Sequence, residues 1–247
     1  MKRIILGSIL LQSFCMNAQT QIIAHRGFWK SNPETTENSI QSLKNAQKLN
    51  IYGSEFDVRM SKDGVLVINH DEHHGDLEIA ETNFTDLRAI KLSNGENFPT
   101  LEDYLTTCKK YNMVPVIEIK MEFVEYGNET TNDSRMQAVT KNNMEDLYAL
   151  TNQIMGNKEY MFIAYDFETM VQMRKVLDDN ATTSTNVKLQ HVTNNPDQGM
   201  INYYKKRKIE LDANCDKISL SDIKAFKDGG VNVGLWTVDD TERVAEC

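Results

Sequence analysis

Ionisable residues occur in four short clusters, and each cluster directly follows a run of apolar residues. A short apolar run predicts a buried strand, so each cluster is expected where a strand meets a loop. Two imidazoles, three carboxylates, one guanidinium and one ammonium would then lie at strand ends, which is unfavourable unless they face one another. The seven side chains are those of His25, Arg26, Glu55, Asp57, His70, Glu118 and Lys120.

Side-chain alternation sorts these residues into faces. Glu55 and Asp57 share one face of their predicted strand, and Glu118 and Lys120 share one face of theirs. In a closed barrel the apolar residues between them, such as Phe56, would pack against surrounding helices. The charged residues would point inward at the carboxyl-terminal mouth, where the active sites of this fold lie.

Three converging carboxylates would repel one another unless a cation lies between them. All-oxygen ligation suits one Ca²⁺ or Mg²⁺ rather than zinc. Arg26 and Lys120 add positive charge at the same point, and the set fits a singly negative phosphodiester. The cation would polarise a phosphoryl oxygen while His25 and His70 exchange protons with the nucleophile and the leaving group. A salt-bridged plug is the competing interpretation, but internal ion pairs seldom need two histidines as well.

Short apolar runs alternate with amphipathic helical patterns along the chain. Strands alternating with helices imply a parallel sheet, and the absence of a Gly-rich phosphate loop favours a (β/α)8 TIM barrel, in the α/β class, over a doubly wound sheet. The predicted strands are 21–25, 53–58, 114–119, 160–165, 187–192, 215–219 and 231–238. The predicted helices are 38–49, 101–111, 143–155, 167–178, 200–208 and 221–228.

One apolar run interrupts this alternation. Asp63-Gly64 precedes residues 65–69, and Asp-Gly between apolar runs is a hairpin signal. Only residues 59–64 are available for the connection, which is too few for a parallel crossover. We therefore expect a return arm that sets His70 beside Asp57, within a small insertion at about 60–99.

The first 18 residues are typical of a secretory signal peptide. Lys2-Arg3 is followed by the apolar run 4–11 and by a small-residue cleavage point near Ala18. This pattern predicts export to the periplasm or the medium and one domain over residues 19–247. No other stretch reaches the ~18 apolar residues of a transmembrane helix.

The net charge argues against a nucleic-acid-binding protein, and the cysteine content argues against a zinc-binding or disulfide-stabilised protein. The formal net charge of −9 makes nucleic acid an unfavourable partner, because binding there depends on clustered cations. The basic run 205–208 is read as a solvated helix face. Cys108, Cys215 and Cys247 lack metal-type spacing and would not form a disulfide framework. Cys108 shares a helical stripe with apolar residues and is predicted to be a core thiol.

The motifs of the chain, taken in order, resemble those of the glycerophosphodiester phosphodiesterase family. The likeness covers most of residues 21–240, and the order and spacing of the motifs make it specific. The motifs are His25-Arg26-Gly27, Glu37-Asn38-Ser39, Glu55-Phe56-Asp57, His70-Asp71, Pro99-Thr100-Leu101-Glu102, Glu118-Ile119-Lys120 and Trp236-Thr237-Val238.

The resemblance implies a TIM barrel of the phospholipase-C-like phosphodiesterase type and hydrolysis of a glycerophosphodiester to glycerol 3-phosphate and an alcohol. Trp236 would face the mouth from the seventh strand, where it could contact the substrate or simply pack inside the barrel. No oligomeric state follows from the sequence. The implied roles are metal ligation by Glu55, Asp57 and Glu118, acid–base catalysis by His25 and His70, and phosphate contacts by Arg26 and Lys120.

The chain departs from the family pattern at three places. Ser39 replaces a threonine, and Ala164-Tyr165 replaces the Ser-Phe pair that follows the fourth strand. The family continues beyond the tryptophan motif through a helix to a final strand, so we expect a barrel that lacks its last strand.

Two other functions fit the same residues. An internal hydroxyl of the substrate could act as the nucleophile and give a cyclic phosphate, as in related phospholipase-D-like and inositol-phospholipase-like enzymes. Alternatively, the barrel could bind a phosphorylated head group without turning it over. An assay of the parent against His25→Ala separates an enzyme from a binding protein.

Overall fold

A computed structural model of the chain describes residues 20–31, 33–125, 131, 133, 135–180 and 186–238. The strands are β1 (Ile23–Ala24), β2 (Gly53–Met60), β3 (Leu66–Ile68), β4 (His73–His74), β5 (Leu77–Glu78), β6 (Val114–Ile119), β7 (Met121–Phe123), β8 (Gln137–Val139), β9 (Tyr160–Ala164), β10 (Val187–Thr193), β11 (Glu210–Asn214) and β12 (Val233–Trp236). The helices are α1 (Ile40–Gln47), α2 (Phe84–Ala89), α3 (Leu101–Tyr111), α4 (Lys141–Met155), α5 (Phe167–Asp179), α6 (Ile201–Arg207) and α7 (Leu220–Asp228), with short 3₁₀ turns at Ile79–Glu81 and Gln198–Met200.

The main sheet is parallel and curls into an incomplete barrel. Among the described residues it has seven parallel strands in the order β1-β2-β6-β9-β10-β11-β12, with β3 added antiparallel to β2. Helices connect most of the successive strands, as parallel pairing requires. The predicted α/β barrel is thereby confirmed, and within residues 20–238 as described it is incomplete, with seven parallel strands.

The two faces of the sheet bury different residues. Phe56, Ile117, Phe162 and Leu211 point outward into the main apolar core, where Phe56 lies 4.6 Å from the ring of Tyr104 on α3. Burial of each such side chain stabilises the folded state by roughly 1.5–3 kcal/mol relative to leaving it exposed to water. A second, smaller cluster fills the barrel interior and comprises Val116, Met161, Ile163 and Val192. Alternation therefore leaves the charged residues of β2 and β6 on the inner face.

Helix capping explains why several predicted helices begin where they do. Ser39 and Thr100 accept the backbone N–H groups of Ser42 and Asp103, which return the bond to close a capping box at α1 and α3. Asp166 caps α5 by accepting from Thr169. The six predicted helices are confirmed to within three residues at their ends.

The predicted hairpin is also confirmed. Val58 pairs with Ile68, and the backbone N–H of Asn69 donates to the Asp57 carbonyl at 3.0 Å. The segment that follows has its own small apolar cluster, centred on four buried residues that lie away from the barrel. They are Val67, Ile79, Leu87 and Phe98.

One predicted strand, 215–219, is wrong. The strand is β11, Glu210–Asn214, and residues 215–219 form a turn that ends at the N-cap Ser219 of α7. The inner face of β11 is polar, since Glu210, Asp212 and Asn214 alternate with buried Leu211 and Ala213. Because its inner face is polar, β11 lacks the continuous apolar run that predicts a buried strand in the sequence.

Some sequence predictions lie outside the described residues. The signal peptide at 1–18 is among them, as is the chain beyond residue 238.

Cys108 is confirmed as a buried thiol of the main core, and burial raises its pKa. Within the described residues, none of the helices combines the length and the apolarity needed to cross a bilayer.

Candidate active site

Three carboxylates meet at the mouth of the barrel. Glu55 and Asp57 lie on the inner face of β2, and Asp57 is in register with Glu118 on the adjacent strand β6. One oxygen of each carboxylate lies within 4.8 Å of the others. Asp57 is fully buried and Glu55 is 5 % exposed. The sequence prediction that these three side chains converge is correct.

The electrostatics of this cluster favour a bound cation. Burial and the charge of Asp57 raise the pKa of both Glu55 and Glu118 above the usual range. In the described part of the chain, Glu55 Oε1 and Asp57 Oδ1 are buried without a hydrogen-bond partner. A divalent cation would satisfy both oxygens and relieve the repulsion. The all-oxygen donor set fits Ca²⁺ or Mg²⁺.

Two basic side chains border the carboxylates. Lys120 Nζ lies 2.7 Å from Glu118 Oε1 and 3.4 Å from Asp57 Oδ1. Arg26 Nε lies 3.5 Å from Asp57 Oδ2, and its Nη1 contacts both Glu37 oxygens at 3.0 and 3.1 Å. Burial opposes the charged form of each base, but the neighbouring carboxylates outweigh it and raise the pKa of Arg26 and Lys120. Both therefore remain cationic at neutral pH.

A left-handed turn aims Arg26 at the cluster. Arg26 has φ +55° and Gly27 has φ +75°, a region that an arginine adopts only at some energetic cost. The turn directs the Arg26 backbone N–H to Glu55 Oε2 at 2.8 Å. At Gly27 a Cβ atom would come within 2.4 Å of Ser42 Oγ, so the close approach of the turn to α1 requires glycine.

Asn38 orients a carboxylate of the cluster, and the sequence had marked it only as part of a motif. Its Nδ2 donates to Asp57 Oδ2 at 2.7 Å, and its Oδ1 accepts from the Asp57 backbone N–H at 3.3 Å. Asn38 also has a left-handed φ of +52° and is buried. The Glu37-Asn38 pair therefore holds one base and one carboxylate in place. Its position just before a helix cap was the only signal of this role.

His25 lies at the end of β1, with Nε2 3.9 Å from Glu55 Oε2. Burial, together with the positive charges of Arg26, His70 and Lys120, lowers the pKa of His25 to about 4, although Asp57 opposes this shift. At neutral pH the ring is therefore neutral.

His70 follows the hairpin arm β3, which runs alongside β2 and ends near Asp57. Its Nδ1 lies 2.7 Å from Asp71 Oδ1, which leaves Nε2 as the nitrogen that can face a ligand. His70 and His25 influence one another electrostatically, as do His70 and Glu118. The sequence prediction that places His70 beside Asp57 agrees with the backbone bond of Asn69. We call these residues the charged arc: His25, Arg26, Glu55, Asp57, His70, Glu118 and Lys120.

Trp236 lies on the inner face of β12, the strand at the opposite end of the sheet order from β1. Its ring packs against the apolar cluster of the barrel interior, and its Nε1 donates to the Asp212 carbonyl at 3.2 Å. The structure thus brings together the seven predicted charged residues and places the predicted Trp236 against the apolar cluster of the barrel interior. A contact between Trp236 and a substrate stays a prediction.

Arg59 is a buried polar residue of the mouth to which sequence reasoning assigned no role. It follows Asp57 on the inner face of β2 and is 5 % exposed. Its guanidinium donates to the main-chain carbonyls of His70 and Arg135, which lie in two different segments that follow the strands. An arginine on the same strand face as Glu55 and Asp57, two residues after Asp57, was the signal available.

A family comparison gives one match over nearly the whole chain. The sequence model of the Glycerophosphoryl diester phosphodiesterase family matches residues 25–247. Among curated proteins, the chain is 31 % identical over 140 residues to a glycerophosphodiester phosphodiesterase of Caldanaerobacter subterraneus subsp. tengcongensis, covering 52 % of this chain and 56 % of that protein. It is 28 % identical over 112 residues to glycerophosphodiester phosphodiesterase 1 of Mus musculus, covering 40 % and 33 %. The chain thus spans about half the length of the first relative it matches.

Solved structures show the same architecture. A glycerophosphodiester phosphodiesterase from Parabacteroides distasonis aligns with a TM-score of 0.74 and 26 % identity, covering 92 % of this chain and 87 % of that one. An Oleispira antarctica phosphodiesterase in complex with the product sn-glycerol-3-phosphate aligns with a TM-score of 0.71 and 18 % identity, covering 92 % and 88 %. The second likeness concerns the fold alone.

Proposed function

This chain belongs to the glycerophosphoryl diester phosphodiesterase family, and from that premise we propose that it hydrolyses glycerophosphodiesters to glycerol 3-phosphate and an alcohol with the help of one divalent cation. The observation that carries the proposal is the buried set of three carboxylates with two histidines and two cationic side chains around it. The relatives named as glycerophosphodiester phosphodiesterases support the substrate class.

The carboxylates and the cationic residues would divide the work of binding a phosphodiester. Glu55, Asp57 and Glu118 would hold Ca²⁺ or Mg²⁺, which supplies Lewis-acid polarisation of a phosphoryl oxygen. Lys120 and Arg26 would offset the charge that develops on the other oxygens in the transition state. Because both are already fixed by carboxylates, little reorganisation is needed when the substrate binds.

The histidines would move the protons. Asp71 fixes the ring of His70 through Nδ1, so Nε2 would donate a proton to the leaving alcohol oxygen as its bond to phosphorus breaks. His25 would accept a proton from the attacking water as the new bond to phosphorus forms. The products are glycerol 3-phosphate and a neutral alcohol, and solvent exchange restores both rings.

We also propose that the chain is exported and folds as one barrel domain with an insertion. The basic and apolar start of the sequence supports export. Mass spectrometry of the secreted protein should find an amino terminus near residue 19.

Trp236, on the inner face of β12, would present its ring to the glycerol or alcohol part of the substrate.

The test is an assay of glycerol 3-phosphate release from glycerophosphocholine and glycerophosphoglycerol, with and without a chelator. We expect release with Ca²⁺ or Mg²⁺ and none with the chelator. Release that the chelator leaves unchanged would contradict the metal-dependent mechanism, and no release with either cation would contradict the function. Phosphorus NMR identifies the product, and a cyclic phosphate in place of glycerol 3-phosphate would mean that a substrate hydroxyl is the nucleophile.

A further inference from the structure

Arg59 is a buried cation next to the charged arc, but its hydrogen bonds are to main-chain carbonyls. It lies two residues after Asp57 on the inner face of β2. Its Nε and Nη2 both donate to the carbonyl of His70, at 3.0 and 2.8 Å, and its Nη1 donates to the carbonyl of Arg135 at 3.2 Å. A buried guanidinium is stable only when its donors meet acceptors, so this geometry is specific to arginine.

The carbonyl that Arg59 holds belongs to the residue proposed as the acid. β3 ends at Ile68, and the bond from Asn69 to Asp57 is the final ladder contact before the chain leaves β2. The Asp71 carboxylate fixes the ring of His70, and two donors of Arg59 fix its main chain. The ring is thus held at both ends, by a side chain and through the backbone.

The same guanidinium reaches a second loop. Arg135 lies between β7 and β8, and its own side chain pairs with Asp133 rather than with Arg59. Arg59 therefore joins the His70 loop, the segment before β8 and strand β2 at a single point. Displacing it would free the His70 loop while leaving the three carboxylates on their strands.

We propose that Arg59 is a positioning residue for His70, which sets where the imidazole meets the leaving alcohol and contacts no reacting atom. This inference rests on the proposed function, because it takes His70 as the proton donor. It predicts a defect confined to the step in which that proton is delivered.

The test uses Arg59→Lys and Arg59→Met in the full chain. Lysine keeps the charge and the buried stem but lacks the fork that grips one carbonyl twice, so it should not restore activity. We expect kcat to fall about 10- to 100-fold in both variants with KM changed less than about twofold, since an ångström-scale misplacement can lower a rate about 10²-fold. Thermal melting confirms that the variants fold, and Arg59→Lys serves if Arg59→Met does not. Arg135→Ala, which removes a side chain but keeps the carbonyl, is the matched control and should retain the parent kcat.

Two further readouts separate positioning from general damage. With a glycerophosphodiester whose leaving group is p-nitrophenol, protonation is hardly needed, so the defects of Arg59→Met and His70→Ala should both shrink by about tenfold. In the His70→Ala background, Arg59→Met should lower kcat by less than about twofold further.

Two results would overturn the inference while leaving the enzyme intact: parent kcat in the Arg59 variants, or an undiminished defect with the p-nitrophenol ester or in the His70→Ala background. An inactive parent, by contrast, would refute the proposed function itself.

Discussion

The mouth of the barrel has two sides built from the same kind of strand end but with different chemistry. Strands β1, β2 and β6 contribute the charged arc. Strands β9 to β12 contribute what we call the neutral arc: Tyr165, Asn194, Asn214 and Trp236. Asn214 and Trp236 alternate with outward apolar residues of β11 and β12 and so lie on the inner face, and hydrogen bonds link Asn214 to Asn194 and Asn194 to Tyr165.

The two arcs differ in how their side chains are satisfied. In the charged arc, carboxylates crowd one another and leave buried oxygens without hydrogen bonds among the described residues. In the neutral arc, Asn214 donates to Asn194 at 2.9 Å and Asn194 donates to the Tyr165 hydroxyl at 2.5 Å. The crowded side is suited to a cation and a phosphate, and the self-paired side to an uncharged group. Substitutions in the two arcs should therefore change different kinetic parameters.

The largest effect should follow the loss of a metal ligand. Asp57→Asn removes a charge from the charged arc, and we expect kcat/KM to fall by about 10³-fold or more, because charge stabilisation at the phosphoryl group depends on the bound cation. Steady-state hydrolysis of glycerophosphocholine measures this. Asp212→Asn, the same exchange elsewhere in the barrel interior, is the control and should stay within about threefold of the parent. Equal losses in the two variants would contradict the division into arcs.

The next largest effect should come from the histidines. His25→Ala and His70→Ala should each lower kcat by about 10²–10⁴-fold, the usual contribution of a positioned acid or base. His73→Ala, three residues after His70 at the start of β4 and about half exposed, is expected to behave as the parent. If His73→Ala is as inactive as His70→Ala, the loop rather than the imidazole is responsible.

Changes in the neutral arc should be milder and of another kind. Tyr165→Phe and Asn214→Ala each remove hydrogen-bonding groups that would face the uncharged part of the substrate. We expect KM to rise about 3- to 10-fold, the value of one hydrogen bond, with kcat within about threefold of the parent. A loss confined to kcat would show that the neutral arc takes part in the chemistry and would break the comparison.

The smallest effect concerns stability. Asp212 lies beside Gly234, where a Cβ atom would come within 2.7 Å of Asp212 Oδ1, and burial together with the charge of Glu118 raises its pKa from 3.8 to about 7. Well below pH 3.8 the carboxyl is protonated in both the folded and the unfolded state. As the pH rises towards 7 the unfolded chain releases its proton first, so the fold loses stability, and the whole loss is present above pH 7.

Asp212→Asn removes this loss. At about 1.4 kcal/mol for each of about three pKa units, the free energy of unfolding at pH 8 should therefore rise by about 4 kcal/mol relative to the parent, with little change at pH 4. Denaturant titrations at the two pH values measure the difference. Stabilisation of the same size at both values would contradict the titration of Asp212.

Much of the charged arc could be predicted because strand ends with alternating acidic residues leave few other arrangements. Glu55 and Asp57 share a face by the period of the strand, and the short Asp63-Gly64 connection required a hairpin that returns His70. The neutral arc could not be found in this way. Asn194 and Asn214 are common loop residues, and the polar inner face of β11 led to the wrong strand at 215–219. Arg59 and Asn38 act through long-range contacts that no local pattern encodes.

The most direct test of the central claim is calorimetric titration of Ca²⁺ and Mg²⁺ into the parent, Asp57→Asn and Asp212→Asn. We predict one divalent cation bound by the parent and by Asp212→Asn, and at least about 10-fold weaker binding by Asp57→Asn. Equal binding by all three proteins, or no binding by a parent that still hydrolyses its substrate, would contradict a cation site formed by Glu55, Asp57 and Glu118.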